Sequence, residues 1–299
     1  MRYIDKSFDV KITRDLCFGR AGVHATTDRR ERDLLLDVYE PVGRPAGTLS
    51  PALVLAFGGA FHRGSKEDDG FEHGGSRSTA MAQYCHEFAR RGYVCFSIGY
   101  RLVPEDPDPG NTIAMSDPQA IPRSRVDQVR EMLGLPYADN MTLWRGMEGA
   151  IDDGATALRW VCDNAGRFGI DPSRVVAGGW SAGARVAMHA VFAERAPAAA
   201  VICLSGYMDP HDMAKNIPSA EAAPVFLTWG TKDLDYVLAQ GPRFREHFSA
   251  IGLKHAAHEI PGANHFYPST TPLQDGRGGT ISLEDAIARF LAEQLKLGS

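Results

Sequence analysis

The run Val175-Val176-Ala177-Gly178-Gly179-Trp180-Ser181-Ala182-Gly183-Ala184 constrains this chain more than any other segment. A short apolar stretch ends in two glycines. A serine follows, and then a glycine that opens a helix-like segment. That order describes a strand, a tight turn and a helix, with Ser181 at the apex. Such a turn lifts the serine hydroxyl clear of a sheet, where it can act as a nucleophile. Gly179 and Gly183 stand two residues to either side, where a side chain would crowd the turn.

The pattern alone is a weak witness. The chain has 16 serines and 31 glycines in 299 residues. A shuffled copy would therefore hold Gly-x-Ser-x-Gly about one time in six, so the structural context must agree before the motif counts.

That context is α/β. Apolar runs at 52–57, 93–98, 199–204, 224–229 and 254–260 read as strands. Segments 78–91, 145–168, 237–252 and 281–296, and an Ala-rich stretch after Ser181 to about Arg195, carry helical spacing. Two further strands are expected at 7–17 and 33–39, with an Arg-rich turn between them. Strands alternating with helices imply a mostly parallel sheet with helices on both faces. The whole chain, 1–299, reads as one domain. Residues 103–143 break the alternation. They hold six prolines and one short helical pattern near 124–134, and are expected to form a lid or pocket wall.

Composition excludes several classes. The net charge of −5 gives no electrostatic reason to expect nucleic acid or an anionic membrane as partner. No apolar run approaches the roughly 18 residues that a membrane span needs, and the first residues lack the apolar core of a secretory signal. The five cysteines (Cys17, Cys85, Cys95, Cys162, Cys203) are odd in number and form no CxxC pair. They read as reduced thiols, and the location as cytoplasmic. The sequence leaves a homodimer open.

A serine nucleophile needs a base, and the base needs a carboxylate to hold its tautomer. In a parallel sheet these groups belong on loops at the carboxyl ends of strands. Gly230-Thr231-Lys232-Asp233-Leu234-Asp235 follows one strand, and Pro261-Gly262-Ala263-Asn264-His265-Phe266 follows the next. Asp233 and His265 are thus the expected acid and base, with Asp235 as the alternative acid. The order Ser, Asp, His marks one architecture. Acyl transfer also needs donors for the developing oxyanion. Gly58-Gly59-Ala60-Phe61-His62-Arg63-Gly64 leaves the strand at 52–57 where such donors are placed, and the N–H of Ala182 would complete the set. Phe61, Trp180 and Phe266, adjacent to these parts, are expected to line the pocket for the acyl or alcohol group of a small-molecule substrate; an ester, an amide or a lactone would each suit the same three catalytic residues. The polar run Lys66-Glu67-Asp68-Asp69 with Glu72-His73 is expected to cap or solvate its mouth. Its spacing fits no metal site.

From about Leu34 to Phe290 the chain resembles the α/β-hydrolases of the carboxylesterase and hormone-sensitive-lipase-like group. Besides the three loops, LDVYEP at 36–41 and GYRLVPE at 99–105 carry the likeness. The resemblance implies an eight-stranded sheet and a serine esterase that needs no cofactor and no metal. It also implies that Gly59 and Ala60 donate to the oxyanion. Two positions depart from the family. Phe57 stands where the family has a histidine before three glycines, so the support that ring gives must come from elsewhere. Ala60 stands for the third glycine.

Overall fold

The computed structural model describes residues 3–298 apart from 46, 69, 276 and 277; Asp69, named above, lies outside the described residues. The main sheet has eight strands: β1 (Val10–Val23), β2 (Arg30–Pro41), β3 (Ser50–Ala56), β4 (Val94–Ile98), β5 (Ile170–Trp180), β6 (Ala200–Leu204), β7 (Val225–Lys232) and β8 (His255–Asn264). They lie in the order β1-β2-β4-β3-β5-β6-β7-β8. Only β2 runs against its neighbours; the remaining pairs are parallel.

Alternation along the strands sorts side chains to two faces. Val54, Ala56, Ala177, Val201, Cys203 and Leu227 face one way, into a cluster with α3 (Asn140–Asp163), α5 (Ala182–Phe192) and α7 (Asp235–Ala250). Leu53, Leu55, Val176, Ile202 and Phe226 face the other, against α1 (Met81–Ala89) and α8 (Leu283–Gln294). Because β3 and β5 are hydrogen-bonded neighbours while β4 lies on β3's other side, the chain changes winding direction between them. A crevice opens beyond the carboxyl ends of two such strands, and ligands bind there in open α/β sheets.

The elements at 145–168 and 7–17 differ most from expectation. α3 starts earlier, at Asn140, because Asp139 caps it by accepting a hydrogen bond from the Thr142 N–H at 2.7 Å. It stops at Asp163, and a short α4 (Ala165–Phe168) ends at Gly169 in the left-handed region. β1 continues to Val23, which pairs with Arg30, so the turn to β2 is shorter than the Arg-rich stretch suggested. A further short α6 (Pro210–Asn216), capped by Asp209, has no counterpart in the sequence reading.

The segment 103–143 is mostly a packed wall. Its α2 (Ser124–Met132) and flanking turns bury Ala114, Met115, Ile121, Val126, Val129 and Ala138 in the cluster of α3 and α5. Lys66, expected near a solvated mouth, is instead 6% exposed. Its ammonium donates to Asp37 at 2.7 Å, on β2, and is paired with Asp15 and Glu67. Asp37 is fully buried, and its charge decides where the lysine goes.

Candidate active site

Ser181 follows β5 at φ 57°, ψ −115°, an unusual conformation for a serine. Its N–H donates to the Leu204 carbonyl at 2.8 Å, which ties the turn to β6. A Cβ on Gly183 would stand 1.9 Å from the Ala56 carbonyl oxygen, so only glycine lets α5 approach β3 this closely. The apex serine is 9% exposed.

The loops after β7 and β8 bring the other two groups to it. The His265 Nε2 lies 2.8 Å from the Ser181 Oγ, and its Nδ1 lies 2.5 Å from Asp233 Oδ1. The second carboxylate oxygen accepts from the Ser205 hydroxyl at 2.6 Å and from the Gly230 N–H at 3.2 Å. The Leu234 N–H donates to Oδ1 at 2.8 Å. Burial alone would raise the Asp233 carboxyl, but hydrogen bonds and attraction from His265, with Ser205 and Leu234, hold it below the usual range. Asp235 is exposed at the start of α7 and takes no part.

β3 ends in the loop that would hold an oxyanion. Gly59 has φ 125°, and a Cβ there would sit 2.0 Å from the Arg63 carbonyl oxygen. Ala60 and Phe61 follow with φ 56° and 61°. Two consecutive non-glycine residues in the left-handed region need outside restraint. The Val103 N–H donates to the Phe61 carbonyl at 2.9 Å. The Tyr100 hydroxyl donates to the Phe57 carbonyl at 2.8 Å, and the two rings stack at 4.1 Å. The His62 ring lies 2.7 Å from the Ala60 carbonyl through Nδ1, and 2.9 Å from Arg130 through Nε2. Arginine can only donate, so Nε2 accepts and Nδ1–H donates. Burial, aided by the Arg130 charge, pushes His62 down to about 4, so the ring is neutral at pH 7. The N–H groups of Gly59, Ala60 and Ala182 find no acceptor among the described residues.

The three rings expected to line the pocket separate into two positions. Phe61 lines the cleft before Ser181, with Ala60, Ala182, Val126 and Arg185. Trp180 instead packs behind His265, at 4.9 Å between ring centres, and its Nε1–H donates to the His265 carbonyl at 3.2 Å. Phe266 packs against Trp180 at 5.4 Å and does not line that cleft.

The chain is similar to known proteins. A family model described as phospholipase/carboxylesterase matches residues 140–273. Native esterase 2 of the planctomycete Thermogutta terrifontis is 19% identical, with 98% of this chain and 93% of that chain covered, at a TM-score of 0.55. A truncated carbohydrate esterase from gut microbiota is 14% identical, with 98% of each chain covered, at 0.59. The chain shares the fold of these esterases. No curated protein matches its sequence.

Several parts of this site escaped the sequence reading. Ser205 follows β6, and its hydroxyl lies 2.8 Å from that of Tyr267, which lies 2.9 Å from the Thr228 hydroxyl. This chain holds Asp233 from behind. Nothing local in the sequence marks Ser205, because its partners are 28 and 62 residues away. His62 could have been found: the missing family histidine asked for another support, and a histidine stood within the same loop. Arg101 of the 99–105 stretch is buried and bonded to Asp153 of α3, its N–H at 2.7 Å from Oδ2. That pair anchors the segment from which Tyr100 and Val103 reach the loop. Among the described residues no group of side chains could hold a metal ion.

Proposed function

We propose that Ser181, His265 and Asp233 carry acyl transfer in this carboxylic ester hydrolase. The observation that supports it is the continuous chain of hydrogen-bond distances from Asp233 through His265 to Ser181. The Ser181 hydroxyl attacks the ester carbonyl while His265 Nε2 takes its proton. The N–H groups of Gly59, Ala60 and Ala182 face the resulting oxyanion. His265 returns the proton to the leaving alcohol, leaving an acyl-serine. Water then attacks that acyl group, with His265 again the base, and the acid is released. Asp233 holds the imidazole tautomer and stabilises its charged form. The cleft before Ser181 is bounded by the Phe61, Tyr207 and Tyr236 rings and by Arg185. Pro122 and Val126 line it, so the 103–143 insertion serves as its wall. The matched carboxylesterase model favours esters over amides or lactones. The Thermogutta esterase 2 fold also occurs phosphorylated by paraoxon, at 19% identity and a TM-score of 0.56. Capture of a phosphoryl group is what an activated serine does, and the same is proposed for Ser181. Free cysteines, three of them buried, fit a reducing cytoplasm.

The test is turnover of a short-chain p-nitrophenyl ester with labelling by a fluorophosphonate probe. Ser181→Ala should lower kcat by on the order of 10⁶, abolish labelling and leave the melting temperature nearly unchanged. Retained turnover would refute the assignment. An intact wild-type Ser181 that the probe leaves unlabelled would point to a ligand receptor on the same fold.

A further inference from the structure

Arg185 stands one helical turn after the nucleophile and lines the same cleft as Ser181, Ala60 and Phe61. It is 8% exposed. No carboxylate lies within 4 Å of it among the described residues, and its Nε is buried with no hydrogen-bond partner. Among the described residues the guanidinium has one polar contact, a weak one from Nη2 to the Met115 sulfur at 3.4 Å. The guanidinium otherwise lies over the Phe61 and Tyr207 rings, at 5.6 and 5.2 Å. The nearest acids are committed elsewhere. Asp212 accepts from the Ser116 N–H, and Asp209 caps α6.

A buried cation without an anion is costly, and such groups are normally paired. Here burial pulls the Arg185 guanidinium below its ordinary value. Two more arginines repeat the pattern nearby. Arg63 lies over Phe71 at 4.3 Å and Arg125 over Phe266 at 5.3 Å. Neither has an ion-pair partner among the described residues, and each is shifted downward by burial, Arg125 also by its like-charged neighbour Arg63. The chain as a whole is acidic, with 37 Asp and Glu against 32 Lys and Arg. Three guanidiniums without an ion-pair partner, Arg185 in the cleft, Arg63 on the loop after β3 and Arg125 next to the cleft-lining Val126, therefore run against its overall balance.

We infer that the ester substrate of this enzyme carries a carboxylate a few bonds from the scissile carbonyl, and that Arg185 receives it. A planar guanidinium matches a carboxylate through two parallel hydrogen bonds. The anion supplies the partner that the folded protein omits, and Arg63 and Arg125 draw it to the mouth. This specificity rests on the serine esterase reading above.

Two matched ester pairs test it, with acid release followed by pH-stat titration. Monomethyl succinate against methyl 4-methylpentanoate places the charge on the acyl side. 3-Acetoxypropanoate against isopentyl acetate places it on the alcohol side. The wild type should favour the charged member of at least one pair by tenfold or more in kcat/KM. Arg185→Met should bring that ratio to one or below, and Arg185→Gln does the same service if the methionine variant fails to fold. A wild type that prefers the neutral member of both pairs overturns the inference, as does a ratio that the folded variant leaves unchanged. If no ester is turned over and the fluorophosphonate leaves Ser181 unlabelled, the esterase reading falls instead. The anion site is then read with glutarate: a rise in wild-type melting temperature that the variant loses supports it, and no rise overturns it.

Discussion

A carboxylate that accepts from His265, Ser205 and two backbone N–H groups has little tendency to take up a proton. Asp233 therefore stays ionised and fixes the proton of His265 on Nδ1, which leaves Nε2 free to accept from Ser181. Asp233→Asn should reverse that tautomer and lower kcat by roughly 10⁴, measured on a short aryl ester. Asp235→Asn should change kcat by less than about twofold, since the side chain is exposed and outside the hydrogen-bonded chain; surface changes of this kind stay near neutral. Equal losses in the two variants would contradict the assignment. The choice between these acids shows what was legible. A strand end followed by Gly-Thr-Lys-Asp puts Asp233 at the sheet's carboxyl edge, and that is a local fact. Ser205 and Tyr267 act through contacts across the sheet, which no local pattern encodes.

At the scale of elements, the α/β alternation was legible because each strand is a short apolar run bounded by breakers, and each helix carries an apolar stripe. The length of β1 was not, since its pairing with β2 rather than its own composition carries it to Val23. The fate of Lys66 was misjudged for the same reason: its anion, Asp37, lies 29 residues away on β2. That pair now makes a prediction. Asp37 is fully buried and held by Lys66, by Arg14 at 2.7 Å and by the Asp15 N–H at 3.0 Å. Arg14 is half-exposed, so Lys66 is the main buried countercharge. Lys66→Met should cost about 3–5 kcal/mol, the usual price of stranding a buried charge. Urea denaturation measures this, and a loss below about 1 kcal/mol would show that Arg14 alone suffices.

At the scale of the molecule, the 103–143 segment couples the sheet to the loop that follows β3. Arg130 of α2 holds His62, and Trp144 Nε1 donates to the Met115 carbonyl at 2.9 Å. Sequence showed that this segment was out of step with the fold, but its anchors sit on α3 and were hidden in an ordinary helical pattern. Glu148 of α3 is the principal one. It is 1% exposed and accepts from the N–H groups of Ala114 and Met115, the latter at 2.7 Å. Those donors favour the carboxylate, yet burial outweighs them and pushes Glu148 up to about 7 from an ordinary 4.5. Between those values the folded state binds more protons than the unfolded one, so stability falls as pH rises from about 4.5 to 7. Glu194, also pushed up to about 7 chiefly by burial, adds a slope of the same sign. His62, pushed down to about 4, adds the opposite sign between about 4 and 6.5. Glu148→Gln keeps an oxygen for the two N–H donors and removes the titration. Unfolding free energies at pH 5 and pH 7 should therefore show the variant gaining on the wild type as pH rises. The same difference between the two proteins at both pH values would mean that Glu148 ionises as freely in the fold as in the open chain.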